Sequence, residues 1–372
     1  MRPLGLYLHI PFCRSKCAYC DFYSLARSEE KMDAYCKELA ARLVRAADTA
    51  AAYTVDSVYF GGGTPSYLGC DRLAALLECV RAHYALAPDA EITFEANPDS
   101  ARDVSALRTL RQAGFDRISL GAQSFDDAEL KSVGRIHTAG EIAEAVDAAR
   151  AAGFTNLSLD LIYGLPRQTT AVFLASLRAA VALRPEHLSC YALKVEPGTP
   201  LWARRDTAAL PDDEAQADCY LAAVPYLAEQ GYAQYEISNF ARPGYESRHN
   251  LKYWTLGEYL GFGPGAHSDF QGRRFGAARS LDAFLRGEEL FDEDSVPSAR
   301  ERAAERVMLA LRTVRGLAPD ALPLPLTPAL PYLRRCAEAG LARESGGRWR
   351  LTPRGFLVSN QIIVEVQECL GL

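Results

Sequence analysis

Between Leu4 and Ala192 six short apolar runs alternate with longer segments of helical periodicity, and that rhythm limits the folds open to the chain. Leu4–Ile10, Ser57–Phe60, Glu91–Ala96, Arg117–Gly121, Asn156–Ile162 and His187–Ala192 are rich in Ile, Leu, Val, Tyr and Phe and read as strands. Glu29–Ala47, Asp71–His83, Val104–Ala113, Ala139–Ala152 and Ala171–Leu183 carry apolar residues at helical spacing. Strands joined through helices pair in parallel, because parallel neighbours need a crossover. The expected class is therefore α/β, with functional groups at the carboxyl ends of the strands.

The rhythm fails after Ala192, so a complete eight-stranded barrel is not expected. From Lys194 to about Phe291 the pattern is mixed, with Pro, Gly and aromatic residues crowded between Tyr232 and Phe275. A boundary is expected near Val296-Pro-Ser, where the acidic stretch Glu288 to Asp294 has ended. Beyond it, helices at Arg300–Thr313 and Ala329–Ala339 precede two short strands, Leu341–Ser345 and Arg348–Thr352, around Gly346-Gly347. That order predicts a winged-helix-like α+β unit. The expected division is 1–195, 196–295 and 296–372.

Nearly half of the 372 residues are apolar, ample for a packed core. The formal charge of −6 argues against a polyanion binder, and hence against nucleic acid as partner. The start, Met1-Arg-Pro-Leu-Gly, lacks the regions of a secretion signal, and no apolar stretch reaches bilayer length. A soluble, cytoplasmic chain is expected, in which cysteines read as metal ligands or core rather than disulfides.

Cys13, Cys17 and Cys20 form a C-x3-C-x2-C loop with no fourth cysteine close behind. A four-iron cluster usually takes four cysteines, so three would leave one iron open to a small molecule. A structural zinc site would need a fourth ligand. Cys36 lies within a predicted helix, and His9 sits on a strand whose side chain is expected to face elsewhere. The other cysteines scatter like ordinary buried apolar residues.

The run Tyr7-Leu-His-Ile-Pro-Phe-Cys-Arg-Ser-Lys-Cys-Ala-Tyr-Cys resembles the cluster loop of the radical S-adenosylmethionine enzymes, in their coproporphyrinogen III dehydrogenase and heme-chaperone branch. The resemblance implies a partial TIM-like barrel of six β/α units, a [4Fe-4S] cluster on Cys13, Cys17 and Cys20, and S-adenosylmethionine on the open iron. Such cofactors perform the chemistry while protein groups place and shield them.

Gly61-Gly62-Gly63-Thr64-Pro65 follows a strand directly, where glycines let backbone lie against a ligand. The resemblance assigns Gly62, Gly63 and Thr64 to the cofactor, together with Tyr7 and Tyr19. Glu95, Gln123 and Asp160 each end a strand, and a buried carboxylate needs a partner. Ribose hydroxyls, an ammonium group or Arg135 are the candidates. By resemblance Glu95 belongs to a first S-adenosylmethionine, and Gln123, Arg135, Asp160 and Ala192 surround a second bound molecule.

The segment Arg248-His249-Asn250-Leu251-Lys252-Tyr253-Trp254 matches a His-Asn-x-x-Tyr-Trp motif of the heme-chaperone branch. It implies His249 as an iron ligand, with Tyr253 and Trp254 packing on the macrocycle. Phe22 stands where the dehydrogenases carry a fourth cysteine, and only a few residues precede Tyr7. Both departures favour a heme chaperone that passes heme to an acceptor protein, which a soluble chain can reach even at a membrane. The alternatives are an oxygen-independent coproporphyrinogen III dehydrogenase and a cluster-sensing DNA-binding regulator.

Overall fold

The computed structural model describes residues Met1–Leu372. Six strands, β1 (Arg2–Ile10), β2 (Tyr53–Gly62), β3 (Leu86–Ala96), β4 (Arg117–Gln123), β5 (Asn156–Tyr163) and β6 (His187–Ala192), pair in parallel in chain order. The crossovers carry α1 (Met32–Ala46), α2 (Cys70–His83), α3 (Val104–Ala113), α4 (Ala139–Ala151) and α5 (Thr170–Ala182). Local chemistry sets several helix ends. Asp103 accepts from the backbone N–H groups of Ser105 and Ala106 at the start of α3, Thr138 and Glu141 cap α4 reciprocally, and Gly114 ends α3 at φ 108°.

Within each run of unbroken register the strands alternate. Leu6, Val58, Ile92, Phe94, Ile118, Leu157 and Leu188 point to the helices and are almost wholly buried. Register then sets a polar layer on the opposite face, with Tyr7 beside Tyr59, Tyr59 beside Thr93, Thr93 beside Arg117, and Asp160 beside Ser189. Period-two geometry thus turns runs that look uniformly apolar into a greasy outer face and a functional inner one.

The mixed region adds order that the sequence pattern hides. After α6 (Asp213–Glu229), strands β7 (Ala233–Gln234) and β8 (Asn239–Ala241) extend the sheet antiparallel beyond β6. Helix α7 (Arg248–Trp254) leads to β9 (Tyr259–Phe262), which pairs in parallel with the far side of β1. The core therefore has a seventh parallel strand that the six-strand expectation lacks. A four-residue strand interrupted by glycines carries too little pattern to be read. Strands β10 (His267–Phe270), β11 (Arg273–Ala277) and β12 (Phe291–Ser295) finish a sheet of twelve strands that stays open between β7 and β12.

Helix α8 (Ala299–Leu311) crosses that opening. Near its start Arg302 donates to Asp269 Oδ1 at 2.7 Å, and Glu305 Oε2 accepts from Arg274 at 3.0 Å, tying it to β10 and β11. Past its end, Ile237 N–H donates to the Arg312 carbonyl at 3.0 Å and Val314 N–H to the Tyr235 carbonyl at 3.2 Å, tying it beside β7 and β8. The chain continues as α9 (Leu330–Glu338), the hairpin β13 (Ala342–Ser345) and β14 (Arg348–Leu351), then α10 (Pro353–Leu357) and α11 (Ser359–Cys369). Leu317 and Trp349 exchange two backbone hydrogen bonds, giving the wing a third chain. This is the expected winged-helix-like arrangement. No helix is long and apolar enough to cross a membrane.

Candidate cluster and ligand cavity

The carboxyl ends of β1 to β6 open into one cavity of about 1720 Å³. Lining it are Cys13, Cys17 and Cys20, the turn Gly62 to Thr64, and Tyr7, Tyr19, Glu95, Gln123, Arg135, Asp160, Ala192, Tyr253 and Trp254. Residues scattered over nearly 250 positions of sequence thus converge, most of them from the strands of one sheet and the segments that follow those strands, and Tyr253 and Trp254 from a helix.

The cysteine loop leaves β1 and is pinned to the body by Ala18, whose N–H donates to the Val133 carbonyl at 2.9 Å and whose carbonyl accepts from Leu201 N–H at 2.8 Å. All ten cysteines are free thiols. Cys13 is buried and Cys17 and Cys20 are half-buried. Burial pushes the thiols of Cys13 and Cys20 up, with bonds from Thr64 and Ser24 opposing the rise at Cys13. No three His, Cys, Asp or Glu side chains converge tightly enough to enclose a single ion. A four-iron cube engages each thiolate at its own vertex, and the three-thiol donor set on one short loop suits that group.

A hydrogen-bonded chain joins two of those cysteines. Thr64 Oγ1 donates to Cys13 Sγ at 3.4 Å and accepts from Asn97 Nδ2 at 3.1 Å. Asn97 Oδ1 accepts from Arg135 Nη2 at 2.8 Å, and Arg135 Nη1 lies 3.4 Å from Cys17 Sγ. Arg135 also donates to the Gly121 carbonyl. It is therefore not the partner of Glu95 or Asp160 that the sequence suggests; its guanidinium is committed to the cysteine loop. Its Nε is buried without a hydrogen-bond partner.

The glycine turn closes against the same loop. Gly63 N–H donates to the Ile10 carbonyl and Thr64 N–H to the Phe12 carbonyl, both at 2.8 Å. A Cβ on Gly63 would meet Phe12 O at 2.8 Å and Ile10 O at 2.9 Å, so only glycine fits there.

Glu95 accepts from Tyr59 Oη at 2.9 Å and from Gly62 N–H at 3.1 Å. Burial pushes its carboxyl up to about 7; Asp160 adds to the rise, and the bonds from Tyr59 and Gly62 oppose it. Asp160 accepts from Ser119 Oγ at 3.1 Å. Its pKa is raised by burial, against the bonds from serines and the field of the buried Arg117. The buried Arg117 lies beside Thr93 on the same sheet, and its positive field opposes the rise at both carboxylates. Gln123 ends β4 at φ 65°, past a break in register with β5. A non-glycine residue held there marks local strain at the cavity wall.

Tyr7 stacks on Tyr59 with ring centroids 6.2 Å apart, and its hydroxyl meets His9 Nδ1 at 3.0 Å. His9 also faces the cavity, contrary to expectation, with Nε2 held 2.8 Å from the Tyr23 carbonyl. Alternation along β1 requires this, since Gly5, Tyr7 and His9 share the inner face.

Helix α7 forms the cavity floor with two faces. Asn250, Tyr253 and Trp254 line the cavity. His249 and Lys252 are buried on the other side, where Lys252 pairs with Asp56 at 2.6 Å. His249 Nδ1 lies 2.9 Å from Ser57 Oγ and Nε2 lies 2.8 Å from Tyr253 Oη. Neither ring nitrogen is free, and His249 alone among the sequence-predicted site residues does not line the cavity. Burial lowers its pKa to about 3, so the ring is neutral.

Sequence reasoning passed over Asn97, Arg117, Tyr59 and Ser119, and turned His9 away from the site. Asn97 and Arg117 continue the alternation that begins with Glu95 and Ser119, and that phase was the available signal.

Known proteins match this arrangement along almost its whole length. The profile of the Radical SAM superfamily matches residues 7–180, and that of the HemN C-terminal domain matches residues 298–358. The solved structure of coproporphyrinogen III oxidase (HemN) from Escherichia coli, described as a radical SAM enzyme, superposes with a TM-score of 0.83 at 26% identity, covering 99% of this chain and 90% of its own. Heme chaperone HemW of Escherichia coli is 38% identical over 379 residues, 97% of each chain. With 40% identity to Heme chaperone HemW of Mycobacterium tuberculosis over 97% of this chain and 94% of the relative, the chain belongs to the radical SAM family, in its heme-chaperone branch.

Proposed function

We propose that the protein binds heme and delivers it to an acceptor protein, holding a [4Fe-4S] cluster on Cys13, Cys17 and Cys20 with S-adenosylmethionine beside it. The observation that carries the cofactor reading is the three-thiol loop braced by Thr64, Asn97 and Arg135 over a glycine turn. When bound, the cluster supplies one electron and S-adenosylmethionine a sulfur–carbon bond that an electron can break. Gly62, Gly63 and Thr64 would hold the methionine part, and Glu95 offers a carboxylate to a cationic group. Tyr7 and Tyr19 would flank the cofactor, while Gln123, Asp160 and Ala192 would face a second bound molecule, which Arg135 could join only by exchanging its bonds to Asn97 and the Gly121 carbonyl.

Heme is the cargo. Trp254 and Tyr253 present aromatic surface to the cavity, and a neutral imidazole at His249 is the form that ligates iron. For His249 to do so, Tyr253 must first release Nε2. An anaerobic preparation should contain four irons and four sulfides per chain, take up one heme, and leave coproporphyrinogen unconverted. Zinc or no metal at the three thiols would defeat the cofactor reading.

The second reading, oxidative decarboxylation of coproporphyrinogen III, draws on the likeness to coproporphyrinogen III oxidase. Against it, Phe22 stands in place of the fourth cysteine and is 68% exposed at the cavity mouth. Formation of protoporphyrinogen by the same preparation would decide for this enzyme.

A further inference from the structure

The cavity has a wall that the cofactor residues do not use, built where α8 and α10–α11 meet the edge of the sheet. Exposed apolar side chains gather there: Tyr191 is 39% exposed, and Leu357 and Val358 are each 40% exposed. Among them lies Arg312, half-buried at the end of α8. At the other end of α8 Arg302 is paired with Asp269, and Arg274 of β11 with Glu305 and Asp269. Arg312 differs. Its guanidinium donates to Asn360 Oδ1 at 2.7 Å and pairs with no acidic side chain. Burial lowers its pKa with no charged neighbour offsetting the loss of water.

A half-buried cation without an anion is costly, and so is exposed apolar surface concentrated around it. One kind of ligand relieves both at once: a flat apolar body that carries a carboxylate. An arginine fork is suited to a carboxylate because it donates two parallel hydrogen bonds.

We propose that Arg312, with Tyr191, Leu357 and Val358, is the carboxylate-anchoring subsite for the heme cargo, so that the winged-helix-like unit supplies one wall of the cargo site. This deepens the heme reading above and rests on it.

The test uses the full chain with its cluster reconstituted anaerobically. Hemin and hemin dimethyl ester, whose carboxylates are blocked, are titrated into wild type, Arg312→Ala and Arg312→Lys. Hemin affinity is expected to fall about tenfold in Arg312→Ala and to recover in part in Arg312→Lys, which keeps the charge. The ester should bind wild type and Arg312→Ala alike. Equal hemin affinity in wild type and Arg312→Ala overturns the subsite while leaving the heme reading intact. If Arg312→Ala does not fold, wild type decides alone: equal affinity for hemin and the ester overturns the subsite. A wild-type chain that binds neither porphyrin defeats the heme reading, and the subsite with it.

Discussion

The guanidinium of Arg135 lies 3.4 Å from the sulfur of Cys17, and the same side chain holds Asn97 at 2.8 Å. Hydrogen bonds to ligand sulfurs raise cluster reduction potentials by favouring the more negative, reduced state. Arg135→Ala is expected to lower the potential of the reconstituted cluster by on the order of 50 mV. Redox titration followed by electron spin resonance measures this, and an unchanged midpoint would mean that Arg135 does not contact the cluster ligand in solution.

Glu95 makes a prediction in pH. Its carboxyl titrates near 7 in the folded chain, above the ordinary range, because burial penalises the charge. The folded form therefore keeps a proton that the unfolded form has released, and the stabilisation belonging to that proton is complete at low pH and lost as pH rises through about 7. Glu95→Gln imitates the protonated group. Its stability advantage over wild type should grow by on the order of a few kcal/mol between about pH 5 and about pH 8, read from urea unfolding at both. An advantage that is flat or shrinks with pH would contradict the assignment.

The floor helix gives a paired test. If His249 ligates heme iron, uptake must break its 2.8 Å bond to Tyr253. Tyr253→Phe removes that bond and keeps the ring, so heme should bind several-fold more tightly, a hydrogen bond being worth about 1 kcal/mol. His249→Ala should shift the Soret band. Should Tyr253→Phe bind no better and His249→Ala keep its spectrum, the ring is a buried strut only.

Gly63 permits a close backbone approach of two segments in the site. Gly63→Ala places a carbon 2.8 Å from the Phe12 carbonyl, which already accepts from Thr64 N–H. The turn must shift, and the bond from Thr64 to Cys13 with it. The variant should lose about 2 kcal/mol or more of stability and reconstitute with less iron. Normal iron content and an unchanged melting temperature would show that the loop adapts freely.

Much of this molecule was readable before its coordinates. The six central strands and five crossover helices stood out because parallel strands covered by helices are apolar over their length and their helices carry apolar residues at helical spacing. The cysteine spacing and the glycine turn were equally plain, being local. What escaped were relations set by register and by helix face. Nothing local tells that Arg135 is held by Asn97 and the Gly121 carbonyl beside Cys17 while Asp160 accepts from Ser119, since the arginine reaches the interior from the loop beyond β4. Nor does the motif around Trp254 say that its histidine and lysine turn inward while the asparagine and tyrosine line the cavity. Strand β9 and the short edges β7 and β8 fell below the length at which alternation becomes a signal.

Helix α8 spans the interval between the two ends of an unclosed sheet and is fastened at both. In mechanical terms it is the missing stave, held by ion pairs at one end and by main-chain bonds at the other. Severing it would leave unsatisfied backbone on the β7–β8 flank, the usual template for sticking to other chains, and Asp269 and Arg274 without their α8 partners on the other. It would also open the cavity along that flank. Any passage of a large cargo through that flank must therefore begin by unfastening the tail from the sheet.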